Sequence, residues 1–332
     1  MTTAKGRCDL RHISMILAER VLVTGGAGFI GSHLVEALLG AGYEVRVVDN
    51  LATGHRANLA QVEGSYDWIE GDLADLDVCH RAVKGVACVF HQAAIPSVPR
   101  SVREPLSSHV SGPTATLNLL EAARQAGVRR FVFAASSSAY GETTELPKHE
   151  GMLPQPLSPY AAGKLAGEAY VFVYARTMGL DGVSLRYFNV FGPRQDPSSP
   201  YSGVISVFTQ RMFKGLRPTI FGDGTQTRDF TYVANAVSAN LAALRCPRPL
   251  GGAVYNVGTG RRISLLDLIA AINAILGSTL TPEFQPPRPG DVRDSQANLD
   301  RIREALGYET IVDFEEGLKL SLESFRRSES SP

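Results

Sequence analysis

The run Val21-Leu22-Val23-Thr24-Gly25-Gly26-Ala27-Gly28-Phe29-Ile30-Gly31 limits the possible folds more than any other stretch of the chain. An apolar strand runs straight into glycines spaced three apart, then into a helix that turns Leu34, Leu38 and Leu39 inward. Gly25 permits a sharp turn, Gly28 lets backbone N–H groups approach a pyrophosphate, and Gly31 lets helix and strand close on each other. The helix start offers unpaired donors and the positive end of its dipole to phosphates. Ordinary strand-to-helix turns also use glycine, so the neighbouring sequence decides. A second strand, Glu44-Val45-Arg46-Val47-Val48, ends in Asp49 about twenty residues on, where a dinucleotide site needs an acid. That carboxylate would accept from both ribose hydroxyls and repel a 2′-phosphate, so NAD is expected rather than NADP.

The same rhythm continues. Asn50-Leu51-Ala52-Thr53-Gly54 reads as a loop, and Tyr66 to Asp72 as a third short strand closed by an acid. Asp72 is placed to meet the adenine, to cap a helix from Leu73 onward, or to do both. A helix through Val78, Ala82 and Val83 leads to Val86-Ala87-Cys88-Val89-Phe90-His91, an unbroken run typical of a buried parallel strand. Ala93 and Ala94 follow, small enough for backbone to lie against a flat ring. His91 reads as a satisfied core histidine rather than a catalyst. A long helix is expected from near Leu106 to Ala126, closed by Gly127. Strand Arg130 to Ala134 then runs into Ser136-Ser137-Ser138, and a seventh strand, Val183 to Tyr187, completes the sheet. The fold class expected is α/β, a doubly wound parallel sheet of Rossmann type.

From about Asn189 the pairs Gly192-Pro193, Asp196-Pro197 and Ser199-Pro200 break the rhythm. Residues 20–188 are expected to form the NAD-binding domain. Residues 189–327 are expected to form mainly a smaller C-terminal substrate-binding lobe, with some segments returning to the first domain and a cleft between the two. Helices near Leu265 to Leu276 and Phe314 to Phe325 belong to the lobe or return to the sheet. Residues 1–19 read as a disordered extension, or as an upstream start with Met15 the natural one, and 328–332 as a tail.

Composition excludes several functions. Lys plus Arg equals Asp plus Glu at 33 each, with no basic run, which gives no electrostatic reason to expect nucleic acid or an anionic membrane. Cys8, Cys79, Cys88 and Cys246 are scattered without metal-ligand spacing, so neither a metal site nor a disulfide framework is expected. With no signal-peptide core and no run of membrane-spanning length, the expected location is cytoplasmic.

Ser158-Pro159-Tyr160-Ala161-Ala162-Gly163-Lys164 puts Tyr160 and Lys164 four apart at a helix start, hence on one face. A free phenol is a poor base at neutral pH, but an ammonium one turn away and a cationic nicotinamide both favour the phenolate. Tyr160 could then take a proton from a sugar hydroxyl while hydride leaves the same carbon. Ser136, at the carboxyl end of a strand, could donate to the substrate oxygen beside Tyr160.

Taken in order, Gly25-x-x-Gly28-x-x-Gly31, Asp49-Asn50-Leu51, Gly71-Asp72-Leu73, Ser136 through Tyr140-Gly141, Tyr160-x-x-x-Lys164 and Arg186-Tyr187-Phe188-Asn189-Val190-Phe191-Gly192 resemble the extended short-chain dehydrogenase/reductase superfamily. Gly222-Asp223-Gly224, Thr227-Arg228-Asp229-Phe230 and Arg288-Pro289-Gly290-Asp291 are similar to its nucleotide-sugar 4-epimerase branch. His91-Gln92-Ala93-Ala94, Ser97-Val98-Pro99-Arg100-Ser101, Gly192 through Pro197 and Asp291 through Ala297 look most like bacterial UDP-N-acetylglucosamine 4-epimerases. The resemblance implies bound NAD, a UDP-sugar substrate, a 4-keto intermediate that swings about its diphosphate, and a homodimer. It implies cofactor contacts from Gly25, Gly28, Phe29, Ile30, Gly31, Asp49, Asn50, Thr53, Gly54, Asp72, Leu73, Gln92, Ala93, Ala94, Tyr160 and Lys164. Asn189, Arg228 and Arg288 would hold the diphosphate, the guanidinium groups with paired donors. Ser137, Ser138, Gln195, Gly203, Asp291 and Ser295 would line the substrate pocket. In the branch, the position of Ser295 borders the sugar 2-substituent: a tyrosine there favours unsubstituted hexoses, and a small residue leaves space for an N-acetyl group.

The chain departs from the branch at Gly112-Pro113-Thr114-Ala115-Thr116, where Asn-Val-x-Gly-Thr is common, and at Gly163, where serine is common. A UDP-glucose 4-epimerase restricted to non-acetylated sugars is one alternative. A uronate epimerase or decarboxylase is another, since the arginines could meet a carboxylate. A 4,6-dehydratase wants an Asp–Glu pair where Ser137 and Ser138 stand, and a non-catalytic dinucleotide sensor has no need of Tyr160 and Lys164.

Overall fold

A computed structural model describes residues 19–196, 203–287 and 292–330 of the chain. The expectations for residues 1–18 and for the end of the tail lie outside the described residues. β1 (Arg20–Thr24), β2 (Glu44–Asp49), β3 (Asp67–Glu70), β4 (Cys88–His91), β5 (Arg130–Ser136) and β6 (Asp181–Tyr187) all pair in parallel. Across the sheet the order is Ala253–Val257, β6, β5, β4, β1, β2, β3. The strand ending at Tyr187 is therefore the sixth, and the sheet is completed from the later part of the chain, where Ala253–Val257 lies in register beside Val183–Tyr187. Burial of that strand depends on a neighbour distant in sequence, so no local pattern marks it.

The period-2 alternation of side chains gives the sheet two apolar faces. Val21, Val23, Phe90 and Val132 face α1 (Phe29–Gly40) and the helix Val233–Arg245. Leu22, Val89, Phe131 and Phe133 face α2 (Leu76–Val83), α5 (Ala115–Gln125) and α6 (Pro159–Thr177). Between α2 and α5 come two short helices, α3 (Val98–Arg103) and α4 (Pro105–His109). The expected long helix from Leu106 to Ala126 is interrupted: a π-turn, Val110–Thr114, holds Pro113 inside it and separates α4 from α5. Proline has no N–H for the helical ladder and its ring crowds the preceding turn, which is the cause of the break.

Strand order reverses between β1 and β4. A crevice opens at the carboxyl ends of strands at such a point. Gly25 turns the chain there with φ +65°, and a Cβ on it would sit 2.8 Å from the backbone of Ala93 after β4. The two strand ends approach this closely only because residue 25 has no side chain.

A third apolar cluster joins Phe191, Phe208, Phe230 and Ile263 to Leu268, Phe314 and Leu318. It lies beneath short ladders, Val190–Phe191 with Thr231–Tyr232 and Thr227–Arg228 with Ile263–Ser264. The helices Leu265–Leu276 and Phe314–Ser330 both contribute to it. Among the described residues no helix is long and apolar enough to cross a membrane, and no cluster of residues could hold a metal ion.

Candidate active site

A cleft of about 600 Å³ occupies the switch point. Its head is the start of α1: Gly28 stands at the N-cap with no side-chain cap, and Gly25, Phe29, Ile30 and Gly31 line the wall. Uncapped N–H groups at a helix start suit a phosphate. Asp49 accepts from the Ala27 amide at 3.0 Å and the Leu51 amide at 2.8 Å, which holds the carboxylate at the cleft edge. Burial pushes its carboxyl up, and those two amides pull it back.

Asn50, Thr53 and Gly54 follow in the same wall, and Asp72 and Leu73 close one end. Asp72 accepts from the Asn50 amide at 3.0 Å and from the Ala74 backbone at 2.8 Å. It is not a helix cap. α2 starts three residues later than a cap at Asp72 requires, and its N-cap is Asp75, which accepts from Asp77. Gln92, Ala93 and Ala94 line the middle of the cleft, and the Gln92 amide reaches the Tyr187 hydroxyl at 3.2 Å.

At the other end stand Tyr160 and Lys164. Ser158 caps α6 by accepting from Ala161, and Pro159 occupies the first turn, which fixes where the helix begins and so where Tyr160 points. Tyr160 lies deep in the fold yet open to the cleft. Burial raises its phenol, and a hydrogen bond with the Ser136 hydroxyl pulls the other way. Ser138 donates to Ser136 from its hydroxyl at 2.8 Å, so Ser136 has its own proton free to give to Tyr160 or to a substrate oxygen. The Lys164 ammonium donates to the Ala134 carbonyl at 2.6 Å and sits over the Phe133 ring. Burial lowers it to about 8, and Glu168 opposes that. Among the chain's own groups burial dominates at the phenol, the reverse of the bias the four-residue spacing predicts.

One residue of this site, Glu168, belonged to no motif in the sequence. Glu168 stands one further turn along α6 and accepts from the Arg186 Nε at 2.8 Å and Nη2 at 2.7 Å. Both side chains are almost fully buried, and the guanidinium lies 4.6 Å over the Tyr140 ring. The four-residue step Tyr160, Lys164, Glu168 was the available clue.

His91 bridges Thr24 at 2.8 Å and Thr116 at 3.0 Å, packed near Phe131 and Phe133. It is a core histidine. Burial, with Lys164 adding to it, lowers its pKa to about 3. Below about pH 6.5 the unfolded chain takes a proton that the folded chain refuses, so the stability present above that pH is lost as pH falls toward 3. The loss runs at up to about 1.4 kcal/mol per unit. We expect the urea midpoint to fall between pH 6.5 and 4.5 by the equivalent of about 2–3 kcal/mol more in the wild type than in His91→Gln, which cannot titrate. Equal slopes in the two proteins would dismiss His91 as the cause.

The residues expected to meet substrate form a second group beyond β6. Asn189, with φ +20°, faces Ser295, whose Oγ lies 3.4 Å from the Asn189 Oδ1. The Ser295 amide donates to Thr227, and Arg228 donates to the Thr227 and Arg293 carbonyls, which gathers Asn189, Arg228 and Ser295 together. Asp229, fully buried, ties this wall down by accepting from Thr259, Gly260 and Ala297. Gln195 lines the cleft, held by the Ser206 hydroxyl at 2.8 Å and packed against Gly203. Ser137 and Ser138 follow β5 in a short 3-10 turn, Ser137–Tyr140. Arg288 and Asp291 lie outside the described residues.

The description "NAD dependent epimerase/dehydratase family" matches residues 21–258. A UDP-glucose 4-epimerase of Mycolicibacterium smegmatis is 41% identical over 92% of this chain and 98% of its own. A UDP-glucose 4-epimerase of Thermus thermophilus, solved in complex with NAD, is 42% identical with a TM-score of 0.84 over 92% of this chain and 99% of its own. A UDP-N-acetylglucosamine 4-epimerase of Methanobrevibacter ruminantium M1, solved with UDP-N-acetylmuramic acid, is 37% identical with a TM-score of 0.89 over 94% of this chain and 99% of its own.

Proposed function

The chain belongs to the NAD-dependent epimerase/dehydratase family, and from that premise we propose that it interconverts UDP-N-acetylglucosamine and UDP-N-acetylgalactosamine, and UDP-glucose and UDP-galactose as well. The observation that carries the N-acetyl reading is the small side chain of Ser295 against Asn189. The cleft fits NAD: an uncapped helix start faces its head and the Asp49 carboxylate lies at its edge. When bound there, NAD supplies a reversible acceptor for the hydride of the sugar C4.

The chain's own residues do the rest. Tyr160 takes the proton of the 4-hydroxyl and returns it after the sugar has turned, and Ser136 holds the same oxygen. Lys164 stabilises the phenolate. Asn189 and Arg228 hold the diphosphate as the fixed end about which the 4-keto sugar swings, with Arg288 as a further cation. No net redox change follows, so the cofactor need never leave. Purified protein is expected to release NAD on denaturation and to convert UDP-N-acetylglucosamine without added cofactor. Release of NADP alone, or no product from any UDP-sugar resolved chromatographically, would overturn the assignment.

Exposed Leu106 and Val110, and exposed Phe172 and Val173 on α6, support a homodimer. Free thiols at Cys79 and Cys88, buried and pushed up to about 12, support a reducing, cytoplasmic setting.

Ser295→Tyr places a ring at the wall beside Asn189. It is expected to suppress conversion of the N-acetyl sugar relative to UDP-glucose by about 10–200-fold in kcat/KM, the usual reach of size discrimination. An unchanged ratio of the two specificity constants would move the selection to Ser137, Ser138 or Gly203.

A further inference from the structure

Two residues that disfavour a helix face each other next to the cleft. Gly163 lies inside α6 between Tyr160 and Lys164, and Pro113 lies inside the π-turn that joins α4 to α5. Glycine and proline are the two poorest helix formers, so their meeting in adjacent helices calls for a packing reason. A Cβ built on Gly163 would lie 3.2 Å from the Pro113 Cδ and 3.4 Å from its Cγ, with no further contact outside its own helical turns. The ring that fills this place is buried and cannot rotate away.

The same π-turn borders the cleft: Ser111 within it and Ala115 just after it, on either side of Pro113, line the cleft together with Tyr160 and Lys164. Its backbone is held without the missing proline N–H, since the Ala115 amide donates to the Val110 carbonyl and the Ser111 hydroxyl donates to the Ser107 carbonyl at 2.9 Å.

We propose that Pro113 and Gly163 act as one spacer: the proline ring, seated on bare helix backbone, sets the distance between the Ser111–Ala115 wall and the Tyr160–Lys164 pair. Pro113 and Gly163 are thus positioning residues, and their effect on turnover rests on the roles given to Tyr160 and Lys164 above. A side chain at residue 163 drives the two helices apart, widens the cleft and carries the phenol away from the reacting hydroxyl. Removing the ring returns the space.

The test uses the NAD-loaded protein with Gly163→Ala, Pro113→Ala and the double variant. Alanine is the better helix former, so a purely structural glycine predicts a Tm as high or higher and no other change. The spacer predicts a kcat lowered by about 10-fold in Gly163→Ala, as a displaced reacting group gives, with KM for the UDP-sugar within about twofold. It also predicts several-fold faster release of NAD on dilution, read with no sugar present. Both losses are recovered in the double variant. Gly163→Val, bulkier on the same Cβ, deepens both. Single-variant values within about twofold of wild type, or a double variant equal to the product of the singles, overturns the spacer. A valine variant as fast as wild type does so without reference to Pro113. A wild type that converts no UDP-sugar overturns the proposed function instead, and NAD release still judges the pair.

Discussion

Tyr160→Phe is expected to lower turnover by about 10²-fold or more while leaving UDP-sugar binding and Tm close to wild type. Only the phenol oxygen is removed: the ring keeps its packing, and the Ser136 hydroxyl that bonded it retains Ser138 as a partner at 2.8 Å. The loss falls on kcat because the proton is transferred only as the C4–H bond breaks, whereas the proposed function has the diphosphate held elsewhere, at Asn189 and Arg228. Single-turnover measurement at saturating substrate, with a binding titration beside it, separates the two. Turnover near that of the wild type would remove Tyr160 from the reaction.

The second large effect is expected at Glu168→Gln. The Glu168–Arg186 pair has side chains only 5% and 4% exposed, and the guanidinium Nε and Nη2 each meet one carboxylate oxygen. Removing one charge leaves the other buried and unpaired, a cost of about 3–5 kcal/mol in unfolding free energy. Exchanging both for apolar residues, Glu168→Leu with Arg186→Met, is expected to restore most of it. The same substitution reaches Lys164, because Glu168 is what opposes the burial that lowers the lysine to about 8. Without Glu168 the ammonium loses its proton at lower pH, and the alkaline limb of kcat moves down. A stability loss below about 1 kcal/mol with an unmoved alkaline limb would reduce the pair to an ordinary surface-strength contact.

What could be read from the residues in order was what neighbouring residues decide among themselves. Strand, glycines, helix, second strand and Asp49 are consecutive, and their geometry follows from local backbone rules, so the glycine turn and the placing of Asp49 at the cleft edge were legible at the level of single residues. Tyr160 and Lys164 were legible for the same reason, being one helical turn apart. Glu168 with Arg186 was not, because the pair forms only when β6 lies beside β5 and under α6. The cap at Asp75 was missed in favour of Asp72 since either acid precedes an apolar run, and only the start of α2 distinguishes them. Ser295 was singled out by resemblance, but its approach to Asn189 depends on Asp229 holding Ala297 and Gly260, three segments that no short window joins. The π-turn at Pro113 lay in plain view as a proline inside a helical pattern, and the long-helix reading overran it.

The place of Ala253–Val257 beside β6 has a consequence for how the protein is made. While the ribosome is still translating the segment after Tyr187, the finished part of the sheet ends in β6 with its outer row of N–H and C=O groups unpaired and Val183 and Leu185 flanking them. Such an edge is a template for other strands, including those of neighbouring nascent copies. Cover for that edge is complete only when residue 257 has left the exit tunnel, so premature termination in the intervening stretch is expected to yield an aggregation-prone fragment. A chain truncated after Phe188 is accordingly expected in the insoluble fraction, and supplying Ala253–Val257 behind a crossover linker long enough to bring it back parallel to β6 would be the way to keep it in solution.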